Sequence, residues 1–201
     1  GFTLEEIMSS VEGVLHLATI GNLDLARSSE IVTNTLNAYG MEASESTHLV
    51  DVLAQTSVKS GTNVEQLAQA LENCSATAGA LGISVEDTAI AIGLMGDNFI
   101  KSGKAGTSLN TFMANMSKPT KAMTDCLSQY NLEGARQKIL NGDLIEGYKE
   151  FAKRMEGLTN EQKAQNATTR AGKEGMTGFL AIVNSGVKGI EELESAIEKA
   201  N

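Results

Sequence analysis

A chain of 201 residues with 16 Lys and Arg against 25 Asp and Glu has a net charge of −9. It lacks the clustered cations that displace counterions from a phosphate backbone, so direct nucleic-acid binding is not expected. With one proline, 4% aromatic residues and no Trp, little forbids helix and little favours strand, so the 41% of hydrophobic residues predicts an all-α core of Leu, Ile, Val, Met and Ala. No apolar run approaches the ~18 residues of a membrane-spanning helix, and no signal peptide opens the chain.

The first helix is predicted from Thr3 and Glu6, spaced as a capping box, followed by an apolar face of Leu4, Ile7, Met8, Val11, Val14 and Leu15 up to Gly21. Asp24 caps the second, with Leu25, Val32, Leu36 and Tyr39 inward and Gly40 at its end. A third runs from near Ser44 to Gly61 through Leu49, Val50, Val52 and Leu53. Asn63 with Gln66 boxes the fourth, whose stripe is Val64, Leu67, Leu71, Cys74, Ala78 and Leu81 before Gly82. Ser84 with Asp87 plays the same part for the fifth, with Val85, Ala89, Ile92, Gly96 and Phe99 on one face and a break at Gly103 and Gly106. The stopping glycines at 21, 40, 61, 82 and 103 lie 19, 21, 21 and 21 residues apart. Each unit is a rod of ~24 Å, and short connections make neighbouring rods antiparallel.

Leu109, Phe112, Met113 and Met116 mark the next helix, and Pro119 begins another that runs to about Tyr130. Residues 131–142 are ambiguous. Leu144, Ile145, Tyr148, Phe151, Ala152, Met155 and Leu158 give a clear helical face after Asp143, and Thr159 with Gln162 sets a fresh cap. Gly172, Gly175 and Gly178 weaken the helix that this cap begins, and a last amphipathic stretch from Phe179 to Ile197 bends near Gly186 and Gly189. The expected fold is therefore nine to eleven short helices stacked as antiparallel hairpins without a sheet. Residues 1–142 form the glycine-punctuated hairpin core, and residues 143–201 a helical segment packing on it or extending from it. The start at Gly1 and the charged end from Glu191 to Lys199 read as boundaries inside a longer protein.

The chemistry-bearing residues yield no catalytic, cofactor-binding or metal-ligating assignment, and a non-enzyme is expected. Gly103 and Lys104 lack the glycine, the following Ser or Thr and the preceding strand of a phosphate loop. His16 and His48 have no ligand partner at metal spacing, although His48 is close to Asp51 along one helix. The acidic pairs Glu5/Glu6 and Glu86/Asp87 fall in first helical turns, where they complement the helix dipole, and Glu191/Glu192 reads as a solvated face. Residues 46–71 have a helix-turn-helix outline, but the second helix offers Glu65, Gln66 and Gln69 with no Lys or Arg. Small residues at 89, 93 and 96 share a face suited to close packing. Cys74 and Cys126 read as reduced thiols.

The stretch from Leu81 to Met95, LGISVEDTAIAIGLM, is similar to the "LGxSxEETAAAIGLL" segment of phage tail tape measure proteins. Phe99 to Leu109, FIKSGKAGTSL, resembles their "GIKGSQAGTAL", with Phe99 in place of a small residue and Ser102-Gly103 inverting Gly-Ser. Ala38 to Met41, Val50 to Ala54, Met113, Lys118 to Thr120, Leu127 and Gly178 to Ile182 match further segments in the same order. The resemblance implies a long, helical, multimeric parent protein, made in the bacterial cytoplasm and lying in the virion tail. It would set tail length during assembly and leave with the DNA at infection. Its implied partners are further copies of itself, the tail tube or tail tip, and an assembly chaperone. Ruling by length is attributed in the family to long helical stretches, so this glycine-broken region would be a folded domain carried on the ruler. Two other readings stay open: a muramidase-like peptidoglycan-degrading domain and a bacterial helical adaptor.

Overall fold

The computed structural model describes residues 4–199, with side chains at residue 8 and from residue 10 onward. Eleven α-helices and one 3-10 turn fill that span, and no strand occurs among the described residues. In order they are α1 (Leu4–Gly21), α2 (Leu25–Tyr39), the 3-10 turn (Ala43–Glu45), α3 (Ser46–Lys59), α4 (Val64–Ala80), α5 (Val85–Asp97), α6 (Ser102–Ser117), α7 (Lys121–Gln129), α8 (Glu133–Leu140), α9 (Leu144–Met155), α10 (Asn160–Asn184) and α11 (Gly186–Glu198). The ambiguous stretch 131–142 thus holds a short helix.

The starts of α2, α4, α5, α7 and α10 are fixed by local side-chain hydrogen bonds that satisfy otherwise orphaned amides. Asp24 Oδ1 accepts from the Arg27 amide at 2.8 Å. Asn63 and Gln66 form both bonds of a capping box, as do Thr159 and Gln162. Gly40 and Gly82 take the left-handed conformation, at φ 66° and 70°, that a residue with a Cβ resists, and so end their helices as expected. The Thr3–Glu6 box lies outside the described residues and side chains.

Three expectations are corrected. The first concerns α1. Of its predicted inner stripe, Met8, Val11 and Leu15 face water instead, 69%, 45% and 49% exposed, while Val14 packs against the core, Leu17 is buried, and the Leu4 and Ile7 side chains lie outside the described ones. The cause is Gly13, which lets the helix lie against the Ser46 backbone: a Cβ there would sit 3.0 Å from its carbonyl oxygen. Leu25, expected inward on α2, is likewise exposed.

The second concerns the break after α5. Gly103 and Gly106 do not break a helix but lie inside α6. Gly106 packs so closely that an added Cβ would collide with the Ala70 carbonyl oxygen, which is how α4 and α6 achieve their extensive contact. The chain turns instead at Phe99 and Ser102, both non-glycine residues at positive φ, 62° and 56°. Phe99, expected on the α5 stripe, is 89% exposed. At both positions the similar tape-measure segment, GIKGSQAGTAL, carries glycine. A Cβ in the left-handed region costs about 1 kcal/mol, so Phe99→Gly and Ser102→Gly are each expected to raise stability by about that amount. Urea unfolding followed by circular dichroism would read it; a loss of stability in either variant would refute the strain argument.

The third concerns the core, whose centre is aromatic despite the low aromatic content. Of five Phe and three Tyr, Phe112, Tyr148, Phe151 and Phe179 form one buried cluster. Phe112 on α6 stacks on Tyr148 of α9 at 4.9 Å between ring centroids, and lies 5.4 Å from Phe179 of α10. Beside them, Ser108 Oγ donates to the Gly175 carbonyl and accepts from the Gly178 amide, both at 3.1 Å, pinning α10 to α6. Gly172, at φ 72° and ψ 172°, kinks α10 midway, and Gly186 separates it from α11.

Candidate functional site

The polar residues that the sequence offered for chemistry are engaged in holding helices together. Arg27 of α2 grips Glu65 of α4 through Nε at 3.2 Å and Nη2 at 2.9 Å, and also reaches Glu72 at 2.7 Å and Glu30 at 3.0 Å. The Glu65 and Glu72 hydrogen bonds raise the guanidinium pKa, and the same contact with Arg27 lowers that of the Glu65 carboxyl. Lys149 of α9 bridges Glu146 and Glu194 of α11, each at 2.7 Å.

The histidines pair across helices rather than along one. His48 Nε2 lies 2.5 Å from Glu86 Oε1 on α5, while Asp51, its expected neighbour, lies 3.9 Å from His16 Nδ1 on α1. Glu86 and Asp87 therefore diverge. Ser84 Oγ accepts from the Asp87 amide at 3.0 Å, as the sequence indicated. The Asp87 carboxylate, however, does not close a box on α5. Its Oδ2 accepts from the Ile145 amide at 3.0 Å, so it caps α9 from another helix. Burial is the main cause that pushes its pKa up to about 6, with Glu194 and Asp143 adding repulsion and the Ile145 and Leu144 amides opposing. Glu192 faces Lys188 along α11 at 3.6 Å. No group of three or more His, Cys, Asp or Glu suited to hold a metal ion occurs among the described residues.

The small residues of α5 serve its packing: Ala89, Gly93 and Gly96 are buried, with Gly93 against Leu193 and Thr56 and Gly96 against Thr62. A groove of about 220 Å³ lies between α2 and α4 over Ile31, Ala68 and Leu71. No described helix is long and apolar enough to cross a membrane.

Three features have little or no signature in the sequence. Arg170 of α10 is fully buried, and none of its guanidinium nitrogens has a hydrogen-bond partner. Its charge sits 5.0 Å from the Tyr130 ring centroid and 5.5 Å from that of Phe151. The signal available is one Arg at helical spacing from Asn166 and Ala167, both buried, which is indistinguishable in sequence from a solvated position. The second feature is the exposed apolar stripe of α1. The third is Phe99, signalled only by its departure from the glycine in the segment it resembles.

The family described as phage-related minor tail protein matches residues 1–172. The chain is 32% identical over 200 residues to a tape measure protein of Pneumococcus phage Dp-1, covering 98% of this chain and 17% of that protein. It is 21% identical over 204 residues to a probable tape measure protein of Escherichia phage P2, covering 100% of this chain and 25% of that protein. The chain thus spans a quarter or less of the length of these relatives. No solved structure matches it.

Proposed function

We propose, from the premise that the chain belongs to the phage-related minor tail protein family, that it is a folded, non-catalytic domain of a longer tape-measure protein. The parent sets tail length during assembly and takes part in DNA ejection, and this region supplies packing and assembly contacts rather than length. The observation that carries the reading is the folding back of the chain. Its longest helix, α10, has 25 residues and is kinked at Gly172, and α4 and α10 both pack on α6. Such a unit cannot act as an extended rod. Nor does it favour the muramidase-like alternative, because Glu86 is held by His48 and Asp87 by the start of α9. We further propose synthesis in the bacterial cytoplasm, residence in the virion tail, and contacts with further copies and with tail tube, tail tip or chaperone proteins. The exposed Met8, Val11 and Leu15 on α1 support contact with another helix, since steps of three and four residues form the seam of paired helices.

Deleting the 201-residue region from the parent gene tests this directly. A fully extended helix of that length would contribute about 300 Å, at ~1.5 Å per residue. A packing domain predicts that electron microscopy finds a loss of intact tails, or tails shortened by far less than that. Tails that form normally and are shorter by about 300 Å would overturn the reading.

A further inference from the structure

The buried guanidinium of Arg170 lacks an anion. A cation removed from water normally has a carboxylate or several hydrogen-bond acceptors, yet Nε, Nη1 and Nη2 have no partner. The Tyr130 and Phe151 rings offset part of the cost through their faces. The remaining polar neighbour is a thiol. Cys126 of α7 projects toward α10, where its Sγ donates to Asn166 Oδ1 at 3.1 Å. Arg170 lies one helical turn beyond Asn166, and Cys126 and Tyr130 stand close enough to favour the charged guanidinium against the effect of burial. Asn166 is itself buried and is fixed by donating through Nδ2 to the Gln162 carbonyl at 2.7 Å. Cys126 is only half-buried, unlike Cys74. Two facing helices thus set a half-buried thiol beside a cation with unused N–H donors.

We propose that Cys126 is a modification site for peroxides, oxidised to a sulfenic acid beside Arg170. The sulfur attacks one oxygen of hydrogen peroxide, the O–O bond breaks, and the other oxygen leaves as water with the thiol proton. Sulfur gives up two electrons and peroxide takes them. Negative charge passes from sulfur to the departing oxygen during this step, and fixed N–H donors with a full positive charge stabilise it there. The same donors then hydrogen-bond the new S–O oxygen. Cys74 is the internal contrast. It is buried on α4, its Sγ donates to the Ala70 carbonyl at 3.3 Å, and burial pushes its pKa up to about 12, so it stays a thiol and does not react.

The test treats the intact chain with dilute hydrogen peroxide, traps sulfenic acid with dimedone and locates the adduct by peptide mass spectrometry. The expected result is an adduct on Cys126 and none on Cys74. Arg170→Met should slow labelling of Cys126 at least about tenfold, and Arg170→Lys, which keeps the charge, should restore most of the rate. An apolar Met suits the ring-lined site, and unlabelled Cys74 reports that the fold is kept. If Met opens the core and exposes Cys74, Arg170→Gln replaces it as the uncharged variant. Absence of a Cys126 adduct in the wild type, equal rates with and without the charge, or failure of Lys to restore what the uncharged variant loses would each overturn the proposal.

Discussion

Phe112→Ala is expected to cost about 3 to 5 kcal/mol of folding stability, enough to leave a domain of ordinary stability barely folded. Phe112, like Phe179, meets all the other members of the aromatic cluster, within 4.9 Å of Tyr148, 5.4 Å of Phe179 and 6.0 Å of Phe151 between centroids. Removing its ring leaves a hole at the junction of α6, α9 and α10, whose backbones cannot close in because Ser108, Gly175 and Gly178 already fix α6 to α10. The cost is therefore the lost burial plus an uncollapsed cavity. Urea unfolding monitored by circular dichroism would measure it. Phe99→Ala serves as the control, since that ring is solvated and its removal should leave stability within about 0.5 kcal/mol of the wild type. A Phe112 effect below about 1.5 kcal/mol would mean that the cluster is not the organising centre.

That centre shows which features local sequence reveals. Caps are legible because donor and acceptor lie three residues apart: Asp24 with Arg27, Asn63 with Gln66, and Thr159 with Gln162 each make the bond their spacing predicts. The periodic faces of α4 and α9 are legible because both are buried along one stripe. Facing is not legible where a glycine outranks an apolar stripe. On α1, Gly13 offers a closer backbone approach than Met8 or Val11, so the helix turns Gly13 and Leu17 inward and leaves Met8, Val11 and Leu15 in water. Gly103 and Gly106 mislead for the same reason. A glycine can end a helix or admit a neighbouring backbone, and only the position of Ala70 decides which. The regular spacing of about 21 residues therefore mixes two uses of glycine. Gly40 and Gly82 are caps with positive φ, while Gly61 and Gly103 are not.

The polar pattern divides in the same way. The sequence sets His48 near Asp51 along one helix, but a local pair competes with groups brought in from elsewhere, and Glu86 and His16 win those contacts. Arg170 is invisible because a single Arg in an Ala- and Thr-rich helix looks solvated until α7 and α9 close over it. The candidate surfaces, α1 and Phe99, are places where local rules and tertiary structure disagree. Such disagreement is a better guide to contact function in this chain than any motif.

Asp87 carries the strongest expected pH dependence. Its folded pKa of about 6 lies above the ordinary value of 3.8, so the folded protein binds this proton more tightly than the unfolded chain. The stabilisation from protonation is complete below about pH 4 and is lost as the pH rises through 6. The shift corresponds to at most about 3 kcal/mol, reduced by the partial solvent access of the group. Glu65 and Glu146, whose pKa values are lowered by contact with Arg27 and Lys149, pull the other way below about pH 4.5, so maximum stability is expected near pH 5. Asp87→Asn keeps an oxygen for the Ile145 amide while removing the charge. It should stabilise the chain by about 1 to 3 kcal/mol at pH 7.5 and change little at pH 4. Thermal melts of both proteins from pH 4 to 8 would read the difference. If the two curves stay parallel, the carboxylate is not the group being titrated. If Asp87→Asn is the less stable at pH 7.5, the negative charge at the start of α9 is worth more than its burial costs.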